Sequence, residues 1–161
     1  MGSRRKAREA AVQMLYQLDL TGLDAAEVAR LYWDHLGVAA ERDPFADQLV
    51  IGCAKVQDQL DAKIRSVSKH WRLERMSRVD RNIIRLATYE LMFQGDIPRR
   101  VTLNEAVELR ASGRELARCH RHCERDCGVC LARSRARTDL DGLEPHIRSL
   151  DAAVGACRSL E

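Results

Sequence analysis

The chain has 161 residues, 45% hydrophobic and 32% charged, the size and balance of one folded domain with or without a tail. A domain of this length buries about two thirds of its unfolded surface, so neither disulfides nor metals are required for stability. No apolar run reaches the roughly 18 residues of a membrane span, and the N-terminus alternates apolar with charged positions where a signal peptide would be continuous, which points to the cytoplasm.

The net charge of +3 is modest but unevenly spread. Arg4, Arg5, Lys6 and Arg8 stand together with no acid between them. Lys6, Lys55, Lys63 and Lys69 are the only lysines, whereas Arg is abundant. GC-rich coding produces that bias as readily as function does. Composition alone therefore does not establish nucleic-acid binding.

In chain order the elements read as helices. The first spans about Ser3 to Leu20, with Ala7, Ala11, Met14, Leu15 and Leu18 on one stripe and Gly22 just past its end. Asp24 with Glu27 forms a capping box for a second helix carrying Val28, Leu31, Tyr32, His35 and Leu36, which Gly37 stops. Asp43 and Pro44 read as an N-cap and a first helical position. The stripe behind them, Phe45, Leu49, Cys53, Val56, Leu60, Ile64 and Val67, predicts one central helix of about six turns. His70, Trp71 and Leu73 lie in a connector. Ser77 with Asp80 caps a helix carrying Val79, Ile83, Ile84, Leu86, Ala87, Tyr89, Leu91 and Met92, ended by Gly95 and Pro98. Thr102 with Glu105 reads as a third capping box, leading into Leu103, Ala106, Val107 and Leu109. No segment alternates with period two, and no hairpin turn joins β-branched runs. The fold class is an all-α helical bundle of six or more helices.

Near Arg110 the character changes. All seven aromatic residues lie at or before Phe93, and five of six cysteines lie at or after Cys119. Large aliphatic side chains are sparse beyond that point, so the segment contributes little to a core. The chain divides into a helical domain, residues 1–109, and an Arg/Cys-rich tail, residues 110–161.

Two groups of residues could carry chemistry. On a helix Arg4 and Arg8 share a face, with Arg5 and Lys6 widening it, and a helix start favours phosphate oxygens. Arg suits that task because its planar fork grips phosphate in two places or stacks on an unpaired base. A solvated, frayed end is the bland alternative. In the tail, Cys119, Cys123, Cys127 and Cys130 with His120 and His122 suggest zinc by count. Their spacing argues against it, because a continuous helix spreads four such thiols over about 16 Å and cannot wrap one tetrahedral ion. No metal, cofactor or catalytic set is assigned.

The segment from Arg4 to Gln17, and more specifically two later blocks, resemble the NusB family. The first block is Val79-Asp80-Arg81-Asn82-Ile83-Ile84-Arg85-Leu86-Ala87-Thr88-Tyr89-Glu90-Leu91. The second is Ile97-Pro98, then Val101-Thr102-Leu103-Asn104-Glu105-Ala106-Val107-Glu108-Leu109. They are similar to the family's V-[DE]-R/K-x-I-L-R-x-A-x-Y-E-L helix and P-x-x-V-x-I-N-E-A-V-E-L continuation. The resemblance covers roughly residues 3–109. It implies two packed three-helix bundles without enzymatic activity, binding boxA RNA of nascent ribosomal transcripts. The implied partners are NusE (ribosomal protein S-ten) and the RNA polymerase antitermination complex.

By the same resemblance, Arg4, Arg5 and Arg8 contact RNA, with Lys6 beside them and Trp71 on the RNA side. Tyr16 and Asp80 face NusE. Asp80 also has the capping role described above, and Tyr16 suits a core edge as well as an interface. The family's last helix, carrying F-V-N-G-V-L, has no counterpart after Leu109. Gain of Arg and Cys with loss of aromatics is what a shifted frame in GC-rich DNA produces, so residues from about 110 onward are read as out of frame. Two rivals stand beside this reading: a NusB-like domain from an rRNA cytosine methyltransferase, and a helical Cys/His metal-binding regulator. The first lacks a glycine-rich cofactor loop and a catalytic cysteine domain, and the second predicts stoichiometric zinc.

Overall fold

The computed structural model describes residues 3–35, 42–68 and 72–111. Six α-helices and a 3₁₀ turn lie there: α1 (Ser3–Thr21), α2 (Ala25–His35), α3 (Pro44–Lys55), α4 (Gln57–Val67), the turn Leu73–Arg75, α5 (Arg78–Phe93) and α6 (Arg99–Ala111). The fold is all-α, with no strand among the described residues. Residues beyond 111, including the tail cysteines and histidines, lie outside the described residues, as do Gly37, His70 and Trp71.

Four helix ends follow directly from local chemistry. The Gly22 amide donates to the Leu18 carbonyl at 2.9 Å, and its φ of 68° is open to glycine, which stops α1. Asp24 accepts from the Ala26 amide at 2.8 Å, Asp43 from the Phe45 amide at 2.9 Å, and Ser77 Oγ from the Asp80 amide at 3.1 Å. Each satisfies an amide that the first turn leaves without an intrahelical partner.

Two expectations are corrected. The stripe from Phe45 to Val67 is not one helix: it breaks at Val56, whose φ of −117° and ψ of 20° leave the helical region. Helix α3 packs on α1, α2 and α5, and beyond the break α4 continues on α5. Thr102 is not a cap either. Helix α6 starts a turn earlier, where the Pro98 carbonyl accepts from the amides of Val101 and Thr102 at 2.8 and 3.3 Å. Thr102 therefore sits inside α6, and its hydroxyl donates to Glu90 at 2.9 Å.

Helices α1, α2 and α3 pack as a three-helix bundle, and α5 lies against α1 and α3 while carrying α4 and α6. The main core includes Met14, Leu49, Leu60, Ile83, Leu86 and Leu109. A smaller one joins Ile64, Leu73, Met76 and Ile84 beneath the 3₁₀ turn. At the α3–α5 contact, a side chain on Gly52 would meet Tyr89 Oη at 2.0 Å, so only glycine admits the ring in this position. Arg8 of α1 meets Glu90 of α5, and Asp19 of α1 meets Arg81, so α1 and α5 run antiparallel.

Candidate nucleic-acid interface

The basic N-terminal residues lie on the first two turns of α1, yet tertiary contacts give each a different setting. Arg4 and Lys6 are exposed. The Arg4 guanidinium sits 5.4 Å from the centroid of Phe45, held there by the Asp43-capped start of α3. That geometry is a cation–π contact, which limits where an otherwise flexible side chain points. Arg5 is half-buried, its Nε 3.2 Å from Glu105 and its Nη2 3.2 Å from Glu108.

Arg8 departs from the expected role. Its side chain is 4% exposed, and its Nε and Nη2 donate to the two carboxylate oxygens of Glu90 at 2.7 and 3.0 Å. Thr102 donates to the same carboxylate, and the other side of the Arg8 guanidinium lies 5.6 Å from the Phe45 centroid. An arginine so enclosed and paired has no face left for phosphate. It ties α1 to α5 and α6 instead.

The expected partner-facing residues lie toward the opposite end of the α1–α5 pair. Tyr16 is half-buried on α1. Asp80 is 5% exposed, accepts from the Ser77 hydroxyl at 2.8 Å and pairs with Arg110 Nε at 2.9 Å. The side-chain cap of α5 is Ser77, whose Oγ accepts from the Asp80 amide, and the Asp80 carboxylate holds that hydroxyl while linking the start of α5 to Arg110 at the end of α6. Trp71 lies outside the described residues.

Sequence reading missed a buried polar lattice at the same end. Arg85 donates to both oxygens of Asp61 at 2.7 and 2.8 Å, and to Asp19 at 3.3 Å. Arg81 and Asn82 also donate to Asp19, at 3.0 and 3.2 Å. Burial works against the Arg85 charge, but hydrogen bonding and attraction from Asp61 and Asp19 outweigh it and leave its pKa raised. A signal for Glu90 did exist: it falls seven residues after Ile83, on the apolar stripe of α5, where a lone acid needs a buried partner. Nothing in the spacing named Arg8 as that partner.

Burial pushes the Cys53 thiol well above its ordinary range, with the Glu90 charge adding to the effect, so it is a core side chain and not a nucleophile. Among the described residues no group of His, Cys, Asp and Glu could hold a metal ion, and no helix is long and apolar enough to cross a membrane.

Residues 5–115 match the profile of the NusB family. The chain is 46% identical over 113 residues to the transcription antitermination protein NusB of Myxococcus xanthus, covering 68% of this chain and 81% of that protein. It is 47% identical over 111 residues to the NusB of Geobacter sulfurreducens, covering 68% and 80%. The solved structure of T. maritima NusB superposes with a TM-score of 0.63 at 25% identity, over 98% of this chain and 89% of that one. Profile, relatives and fold agree, and the chain belongs to the NusB family of transcription antitermination proteins.

Proposed function

We propose that the chain acts as an antitermination factor that binds boxA-type RNA together with NusE and joins the RNA polymerase complex, without catalytic activity. The observation that carries this reading is the presentation of Arg4 and Lys6 on a start of α1 made rigid by the buried Arg8–Glu90 pair. Cations on a fixed platform meet a polyanion with little ordering cost. Arg4 and Lys6 supply phosphate contacts, Arg5 joins once released from Glu105 and Glu108, and Arg8 holds the platform in place. Trp71 and the Arg4–Phe45 stack are candidates to meet unpaired bases. Tyr16 belongs to the NusE face, and Asp80 supports that face by fixing the start of α5. The RNA-binding unit is the helical domain, residues 1–109.

Relatives named as antitermination proteins support this reading over the methyltransferase one. The test is titration of a boxA RNA, with and without NusE, at two salt concentrations. The heterodimer should bind more tightly than the chain alone, and replacing Arg4 and Lys6 with Ala should weaken binding and flatten its salt response. Binding unaffected by those replacements would refute the proposed surface.

A further inference from the structure

The two flanks of α6 differ in chemistry. The flank toward α1 carries Glu105 and Glu108, which pair with Arg5. Leu103, Val107 and Arg110 follow one another at i, i+4 and i+7 and share the other flank. Arg110 pairs with Asp80 of α5, which sets this flank beside the row of α5 that Asp80 heads. That row continues through Ile84 and Ala87 to Leu91. Leu103 and Val107 of α6 thus form one wall of a shallow apolar groove whose other side is the Ile84–Leu91 row. Ile84 and Ala87 are buried at its floor, Leu91 and Leu103 are half-buried, and Val107 is 48% exposed.

Helix α6 ends at Ala111, four residues beyond Val107 on the same flank, and residues 112–161 follow. The sequence of that stretch, outside the described residues, carries a helical pattern of its own. Ser112 and Glu115 are spaced as a capping box. Leu116, Cys119, Cys123 and Cys127 then recur at helical intervals on one stripe, with His120 at its edge. Arg114, Arg118, Arg121 and Arg125 recur at the same intervals on the opposite side. A free cysteine behaves as a small hydrophobe and is among the most buried residue types, so this stripe is apolar. Up to Gly128 the pattern predicts about four turns, or about 20 Å, which is also the length of α6. Thiols spread along one stripe cannot converge on a metal ion, but they suit packing against another helix.

We propose that residues 114–127 form an amphipathic helix that folds back along α6 and closes the groove with Leu116, Cys119, Cys123 and Cys127. Attachment decides the occupant. A groove of a few apolar side chains is far smaller than a stable interface between separate proteins. A segment joined to α6 through Ser112 and Gly113 is instead present at an effective concentration on the order of millimolar. Connections of about two to five residues are those that join antiparallel helices. The arginine row then faces water, as the outer side of a surface helix does. The inference does not depend on RNA binding.

The test is alkylation of the reduced full chain by iodoacetamide, with and without a chelator, read at each cysteine by mass spectrometry and compared with the chain in concentrated urea. Cys53, buried in the main core, reports whether the rest of the protein stays folded. In the wild type Cys119, Cys123 and Cys127 should react about tenfold or more slowly than in urea, because labelling awaits local opening. Val107→Asp puts a charge into the groove at an exposed position and should bring all three within about twofold of their urea rates, with Cys53 still protected. Cys123→Arg, which charges the stripe itself, should expose Cys119 and Cys127 in the same way. Where Cys53 also reacts the variant has unfolded, and the other variant and the wild-type rates decide. Wild-type thiols that react at their urea rates would overturn the inference, as would protection that survives both substitutions. Protection lost on about hundredfold dilution would give the groove to a second copy. Protection lost on chelation would give the thiols to a metal, and either result overturns the proposal.

Discussion

Arg8 and Glu90, 82 residues apart in sequence, meet through two hydrogen bonds of 2.7 and 3.0 Å in the interior of the protein. The pair places a charge from the basic N-terminal run where solvent does not reach. It joins α1 to α5, and Thr102 adds α6 through the same carboxylate. The platform for Arg4 and Lys6 depends on it.

Breaking that pair should therefore cost stability before it costs RNA contacts. Removing one partner of a buried ion pair leaves the other charge uncompensated, so Arg8→Ala is expected to destabilise by about 3–5 kcal/mol. Replacing both, Arg8→Met with Glu90→Leu, should cost less than Arg8→Ala alone. Urea denaturation of the three proteins measures both effects. A surface phosphate ligand would instead show an unchanged unfolding midpoint.

Arg5 has a different constraint. Its guanidinium is held by Glu105 and Glu108, and these carboxylates also repel phosphate. Glu105→Gln with Glu108→Gln should tighten RNA binding about twofold, equivalent to about 0.5 kcal/mol for a partly exposed pair. The gain should disappear in an Arg5→Ala background, as fluorescence anisotropy at fixed salt would show.

Gly52→Ala places a methyl group on the ring of Tyr89, with the hydroxyl 2.0 Å and Cζ 2.3 Å from the new carbon. Tyr89 is itself packed in the core and cannot withdraw freely. Overpacking of this kind is expected to cost about 1–3 kcal/mol, read as a lower urea midpoint at unchanged m-value.

The Cys53 thiol supplies an alkaline pH dependence. Its folded pKa lies above the unfolded value of 9.0, because burial, and then Glu90, disfavour the thiolate. The contribution is complete below pH 9.0 and is lost as pH rises toward the folded pKa, since only the unfolded state ionises in that window. Between pH 8 and pH 10 the wild type should lose about 1 kcal/mol more than Cys53→Ala does. Equal losses would show the thiol to be accessible. The raised Arg85 pKa has the opposite practical consequence. Its stabilisation is present throughout the range in which an ordinary arginine is charged and is lost only at pH above that range, so Arg85 itself adds no slope between pH 5 and 10.

Much of the helix punctuation was legible from residues adjacent in the chain. Asp24, Asp43 and Ser77 cap where their side chains lie next to free amides, and Gly22 stops α1 because its φ is positive. The break at Val56 was not legible, because the apolar stripe continues through it and no glycine or proline marks the position. Thr102 was misread for a related reason. A Thr followed three residues later by Glu looks like a cap, but the Pro98 carbonyl had already started the helix and Glu90 had claimed the hydroxyl.

Periodicity and capping, which act over a few neighbouring residues, determined from the sequence alone that this protein is a set of amphipathic helices. Motif order added the family. Which basic residues reach solvent was decided only by the tertiary structure. Charges compensate through space, and the carboxylates that neutralise Arg5 and Arg8 come from helices far away in the chain.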